Sequence, residues 1–321
     1  MKYICQPSNY SRNQIIRNLI GDNEYDNLYF LPCFKKKFFL YNFFKRKFII
    51  NDFFISDFDN VVFERKLIKV FSLNSIKHYF VDYINYKFSS FLISDTKAHF
   101  EYWESLFGKT KAERFILPVL ANKYIYKPNS RKNKHFKVIF FGSLIPLHGI
   151  DKILEAFSIL QKRKLNIEFQ IIGSGQLSSF VRDTIRKSEL RIDFYDGILD
   201  EVRLAKEINK SSIILGIFGD SKKAKSVVPN KVYQGLASRK CVITMQSPAI
   251  SEFFNKNEIC LCANDANSLS KSIEKLFIDR NLLDDYANKG YEKYQLLYKE
   301  NKEKFNSFLM SANEKIKLKN Q

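Results

Sequence analysis

From Lys137 onward the chain alternates short apolar runs with helical segments, and this alternation restricts the fold more than any other feature of its 321 residues. Apolar runs stand at Val138–Phe141, Ile167–Ile172, Arg191–Tyr195, Ile213–Ile217, Val242–Met245 and Ile259–Cys262. Helical segments fall at Ile150–Lys162, Leu177–Lys187, Glu201–Asn209, Asn230–Ala237, Ile250–Phe254 and Ser268–Phe277. Short runs without polar alternation are strands buried on both faces, and strands joined through a helix lie parallel with right-handed crossovers. The expected class is α/β, with helices covering both faces of a parallel sheet. From Leu282 onward two or three helices are expected, with the last ten residues basic and frayed.

In open sheets of this kind ligands bind at the carboxyl ends of the strands, so the loops there are the first place to look for chemistry. The first run ends in FFGSLIPLHG, where Gly142 and Ser143 form a turn and Gly149 starts a helix. His148 beside Gly149 is either turned to the same edge or a surface histidine. The second run ends in IIGSGQL, with Gly173 and Gly175. The stretch Ser212–Ser238 is the densest. Its strand ends in Gly216 and Gly219, a loop with Lys222, Lys223 and Lys225 follows, and Pro229 sits at the first turn of the helix from Asn230. Backbone N–H groups and the positive end of that helix, with Lys223, Lys225 and Lys231, converge on a place suited to a diphosphate. The alternative is a basic surface loop between a strand and a helix.

Residues 1–132 follow the same alternation less cleanly. Tyr3–Cys5, Asn27–Leu31, Phe48–Ile50, Phe91–Ile93 and Arg114–Val119 read as strands, with helices near Asn13–Ile20, Val61–Phe88 and after Thr96. The Val61–Phe88 helix carries apolar residues at Leu67, Phe71, Ile76, Phe80 and Ile84. The acids Asp52, Asp57 and Asp59 follow one strand and Asp95 follows another, positions that suit acid–base chemistry. His99 lies one helical turn beyond Asp95. Phe34–Lys47, aromatic and basic, fits an amphipathic helix on an anionic membrane or an ordinary surface helix. Asn122–Asn133 reads as a linker, giving domains at 1–132 and 133–298 and a C-terminal helix with a basic tail at 299–321.

The net charge is +19, and both halves share it, with 22 Lys and Arg against 12 Asp and Glu before residue 133. Such a balance favours acidic partners: nucleic acid, anionic lipid or phosphorylated substrates. Nucleic acid is the weaker choice, because the cations are spread along the chain and no recognition helix or RNA-binding signature appears. Cys5, Cys33, Cys241, Cys260 and Cys262 form no CxxC pair, so neither a zinc site nor a disulfide framework is indicated and a reducing cytoplasm is expected. No run approaches a membrane span, and no GxSxG, HExxH or GxxxxGK[ST] marks a hydrolase, zinc enzyme or P-loop.

FGSLIPLHGIDKILEA, IIGSGQL, LGIFGD and VVPNKVYQGLASRKCVIT, in that order and spacing, resemble the family 4 glycosyltransferases of the GT-B fold. The resemblance runs from about Lys137 to Tyr298 and is looser in a shortened N-terminal half, through NDFFISDFDN and SDT. It implies two Rossmann-like domains with parallel sheets facing a cleft. It also implies retaining transfer of a hexose-type sugar from a nucleotide diphosphate sugar to a glycan or lipid-linked acceptor. The implied setting is surface polysaccharide, lipopolysaccharide or glycolipid synthesis, in the cytoplasm and on the inner face of the membrane. The implied donor site comprises Gly142, Ser143, His148, Gly173, Gly175, Lys223, Lys225, Asn230, Lys231 and Gln234. Asp52, Asp59 or Asp95 is expected to orient the acceptor or take its proton. No metal or other cofactor is expected, since fixed cations meet the diphosphate charge. The chain departs from the family where many members carry Arg at Ser143, Lys at His148, and glutamates at Ser226 and Gln234. A catalytically silent GT-B partner subunit is the alternative those departures raise.

Overall fold

The computed structural model describes residues 2–3, 10–33, 49–129 and 135–320. The expected Phe34–Lys47 helix, Cys5 and the Ser130–Asn133 end of the linker lie outside them. Two compact units form: Met1–Val119 with Tyr298–Gln321, and Leu120–Leu297.

The first unit holds five parallel strands in sequential order, β1 Lys2–Tyr3, β2 Tyr29–Leu31, β3 Ile49–Asp52, β4 Phe91–Ser94 and β5 Glu113–Ile116. β3 and β4 are buried at every position, the apolar residues Ile49, Ile50 and Phe91–Ile93 as well as the polar strand ends Asn51, Asp52 and Ser94. Its core is aromatic, built from Phe53, Phe58, Tyr86, Phe100, Trp103 and Phe107. The expected Val61–Phe88 helix is not continuous. A π-helical turn covers Asp59–Glu64, Lys66 takes a left-handed conformation (φ 53°), and an α-helix starts only at Leu73. Ser72 caps that helix by accepting from Ser75 N, so the helix restarts at its own start signal.

The second unit holds six parallel strands in the order β11-β10-β9-β6-β7-β8. They are β6 Lys137–Phe141, β7 Glu168–Ile172, β8 Ile192–Tyr195, β9 Ile213–Leu215, β10 Cys241–Met245 and β11 Cys260–Cys262. The inner strands β9 and β10 are wholly buried, whereas the edge strand β8 alternates half-buried with exposed residues. The order reverses at β6, which pairs with β7 in one direction and β9 in the other (Phe141 beside Ile172, Val138 beside Ile213). A reversal of this kind leaves a crevice outside the carboxyl ends of the two diverging strands.

The change of unit falls at Val119, not at the linker near residue 132. Leu120, Ala121 and Tyr126 are buried, and Tyr294 Oη donates to the Ala121 carbonyl at 2.8 Å while accepting from its N–H at 3.2 Å. The C-terminal end is one helix, Arg280–Asn320, rather than two or three, and it remains helical through the residues expected to fray. From Tyr298 it belongs to the first unit. Phe308 stacks on Phe115 at 4.6 Å, and Asn306 Nδ2 donates to the Leu19 carbonyl at 2.9 Å.

Candidate functional site

The second unit's strand reversal brings together the turn after β6 and the start of the helix Asn230–Ala237. Gly142 takes φ 126°, open to glycine alone, and a Cβ there would stand 3.4 Å from Lys231 Nζ and 3.6 Å from His148 Cε1. Ser143 beside it is exposed and gives its carbonyl to His148 Nδ1. His148 ends a short 3-10 turn, Pro146–His148, and its ring meets Phe140 edge-on at 5.8 Å. Burial, then the charge of Lys231, holds this imidazole well below the usual histidine range, against the pull of the Ser143 carbonyl.

Lys231 is the centre of the cluster. It occupies the second position of a helix whose remaining residues are packed inward, and it is itself only 4% exposed. Its Nζ lies 4.0 Å above the Phe140 ring and has no hydrogen-bond partner among the described residues. Burial holds its ammonium well below the usual lysine range. The helix start carries no side-chain cap, because Pro229 is the capping residue (φ −72°, ψ 153°) rather than a residue of the first turn. Half-buried Asn230 opens the helix. A buried cation beside open N–H groups at the positive end of a helix is arranged for an anion.

The other expected donor residues take different places. Lys223 and Lys225 stand on a short helix, Lys222–Ser226, not on a loop. Lys223 is buried, Lys225 exposed, and the helix packs against the turn that carries His148. Gly173 N donates to the Tyr195 carbonyl at 3.0 Å, and Gly175 N to Ser178 Oγ at 3.0 Å, which ties the second glycine loop into the sheet edge. Gln234 is buried, and its Nε2 donates to Tyr126 Oη at 2.8 Å, so its amide nitrogen is engaged within the protein. Ser226 Oγ donates back to the Lys222 carbonyl at 2.8 Å and closes its helix. Tyr126, placed by sequence in a linker, is the partner that reading missed; no local signal distinguishes it.

The acids of the first unit are interior. Asp52 ends β3 and accepts from Arg12 Nε (2.9 and 2.8 Å) and Nη2 (2.8 Å), while Arg12 Nη1 donates to the Leu117 carbonyl at 3.1 Å. Expected as an acceptor-side acid, it is instead the counter-ion of a buried arginine. Burial pushes the Asp52 carboxyl up against the pull of Arg12. Burial also disfavours the Arg12 charge, yet Asp52 holds the guanidinium above its usual range. Asp59 is buried and accepts from Tyr102 Oη. Asp95 Oδ1 lies 2.5 Å from His99 Nδ1, both fully buried, with the His99 ring 4.2 Å from that of Trp103. No group of three or more potential metal ligands occurs among the described residues.

The chain matches the family described as glycosyl transferases group 1 over residues 123–293, more than half its length. No curated protein sequence matches it. Among solved structures it is similar to sucrose-phosphate synthase from Thermosynechococcus elongatus, with TM-score 0.69, 13% identity, and coverage of 89% of this chain and 73% of that one. It is similar to Anabaena HepE in complex with UDP and glucose, at TM-score 0.68 and 13% identity, covering 95% and 84%. A third is the pneumococcal O-GlcNAc transferase GtfA in complex with UDP and GlcNAc, at TM-score 0.62 and 16% identity. Here 94% of this chain covers 59% of that one. These likenesses are in fold, the GT-B arrangement of two Rossmann-like domains, here with a shortened N-terminal one. The chain belongs to the group 1 glycosyltransferases, family 4 in type.

Proposed function

We propose that the protein transfers a hexose-type sugar, with retention of anomeric configuration, from a nucleoside diphosphate sugar to a glycan or lipid-linked acceptor in surface polysaccharide or glycolipid synthesis. The observation that carries this reading is Lys231, a buried lysine without a counter-ion among the described residues, at the strand reversal of a group 1 glycosyltransferase domain. The donor diphosphate supplies the missing anion. As the sugar leaves, charge grows on the diphosphate, and Lys231 with the helix start at Asn230 stabilises it from fixed positions. Lys223 and Lys225 on the neighbouring helix add to the local potential. With these cations in place the reading invokes no metal. Similar structures are complexes with UDP, so uridine nucleotides are the first ligands to try.

The test is calorimetry with UDP, GDP and their sugars on the wild type and Lys231→Ala. A preference for one nucleotide, weakened at least about 100-fold by the substitution, supports the donor site. Absence of binding to all of them overturns it. A second reading, a silent partner subunit, draws on Ser226 and Gln234, whose polar groups are turned to Lys222 and Tyr126. Nucleotide binding without turnover of any sugar donor would favour that reading.

A further inference from the structure

Between Phe63 and Phe80 the first unit turns most of its large apolar side chains outward, Ile68 and Tyr79 excepted. Leu67, Val70, Phe71, Leu73, Ile76 and Phe80 are exposed, Phe71 by 93% and Leu73 by 86%. Over its first turns the helix Leu73–Phe88 is inverted relative to an ordinary surface helix, while Tyr79 and Tyr83 pack on the aromatic core. The helix's fully buried positions are Ser75, Asp82, Asn85 and Tyr86, while Ile76 and Phe80 face out. The inversion is held by bonds within the unit. Asp82 accepts from Ser56 Oγ at 2.5 Å and Phe58 N at 2.9 Å, and Ser75 Oγ donates to the Val70 and Ser72 carbonyls. The loop that carries Phe71 is therefore a fixed feature of the surface.

The exposed charge along this stretch has one sign. No acid occurs from Arg65 to Val81, Lys66, Lys69 and Lys77 are exposed, and the flanking acids Glu64 and Asp82 are buried. A second copy of this face would bring two sets of lysines together. Residues 34–48 carry six Lys and Arg and no acid, so they too would meet like charge. An anionic bilayer satisfies both properties, since its headgroups take the lysines and its acyl boundary takes the aromatic and aliphatic side chains. We propose that this face, centred on Phe71 and Leu73, docks the protein on an anionic lipid surface. The proposal goes beyond the transferase reading and does not rest on it.

The test is sedimentation of the full chain with vesicles of phosphatidylcholine, with and without phosphatidylglycerol. Binding is expected on the anionic vesicles and is expected to fall with salt. Phe71→Ser with Leu73→Ser should lower the partition coefficient at least about 10-fold. Lys66→Gln, Lys69→Gln and Lys77→Gln together should lower it about 100-fold, at roughly fivefold per lysine. Circular dichroism matching wild type in both variants, together with wild-type UDP affinity, separates loss of docking from misfolding and from failure of the donor site. Wild-type protein left in the supernatant overturns the proposal. So does vesicle binding that survives the double substitution, which would assign it to another part of the chain. A dimer that the double substitution dissociates, without vesicle binding, overturns it as well.

Discussion

At the scale of residues the protein keeps a cost where a ligand is to come. Lys231 Nζ has no hydrogen-bond partner among the described residues, and leaving a buried polar group unsatisfied costs about 1–3 kcal/mol. Lys231→Met is therefore expected to raise stability by roughly that amount in urea unfolding while abolishing UDP binding; a loss of both would make the lysine structural. The same lysine sets a pH dependence. Its folded pKa is depressed, so between that value and 10.5 the unfolded chain binds more protons than the native one, and stability rises with pH through that window. An anion restores the charge, so binding is expected to take up a proton and UDP affinity to fall as pH rises. Calorimetry in buffers of different ionisation enthalpy measures that uptake, which Lys231→Ala should remove. Gly149 is a different case. It takes φ 63°, and a Cβ there would run into the Phe218 carbonyl. Gly149→Ala is expected to lower stability by more than about 1 kcal/mol, read by urea denaturation.

At the scale of elements, β3 and the helix Ser11–Ile20 are joined by the Arg12–Asp52 pair. Removing one partner of a buried pair leaves an uncompensated charge, so Asp52→Ala should cost roughly 3–5 kcal/mol, and adding Arg12→Met should recover much of it. A double-mutant cycle in urea checks this; equal losses for the single and double variants would refute it. The strands of the second unit were legible to within a few residues because buried parallel strands are nearly continuous apolar runs. The break at Lys66–Ser72 was not. Leu67, Phe71, Ile76 and Phe80 have a helix-like spacing, but here they mark an outward apolar face, and periodicity does not say which side of a helix meets the core. The helix Arg280–Asn320 was misjudged for a related reason. Two or three helices were expected from Leu282 onward, whereas the one helix runs on through Gly290, which admits Leu236 and the Glu258 carbonyl at close range.

At the scale of the molecule the two units are expected to respond differently to ligand. Binding stabilises whatever holds the site, by about 2.7 kcal/mol at a ligand concentration of 100 Kd. Hydrogen exchange with saturating UDP should therefore slow amides at Gly142–Gly149 and Asn230–Ala237 more than those flanking Arg12 and Asp52. Equal slowing in both units would count against a donor site confined to Leu120–Leu297. By itself the sequence determined the α/β class, the β6–β11 strands, the loop that holds Gly142 and His148, and the helix that carries Lys231, because these follow from local apolar runs and helix starts. Only the tertiary structure decided that Asp52 is the counter-ion of Arg12, that Gln234 faces Tyr126, that Tyr298–Gln321 joins the first unit, and that Lys231 stands buried against Phe140. Each of those is a contact between residues far apart in the chain, and no local pattern of residues encodes which distant side chain will fill the space beside it.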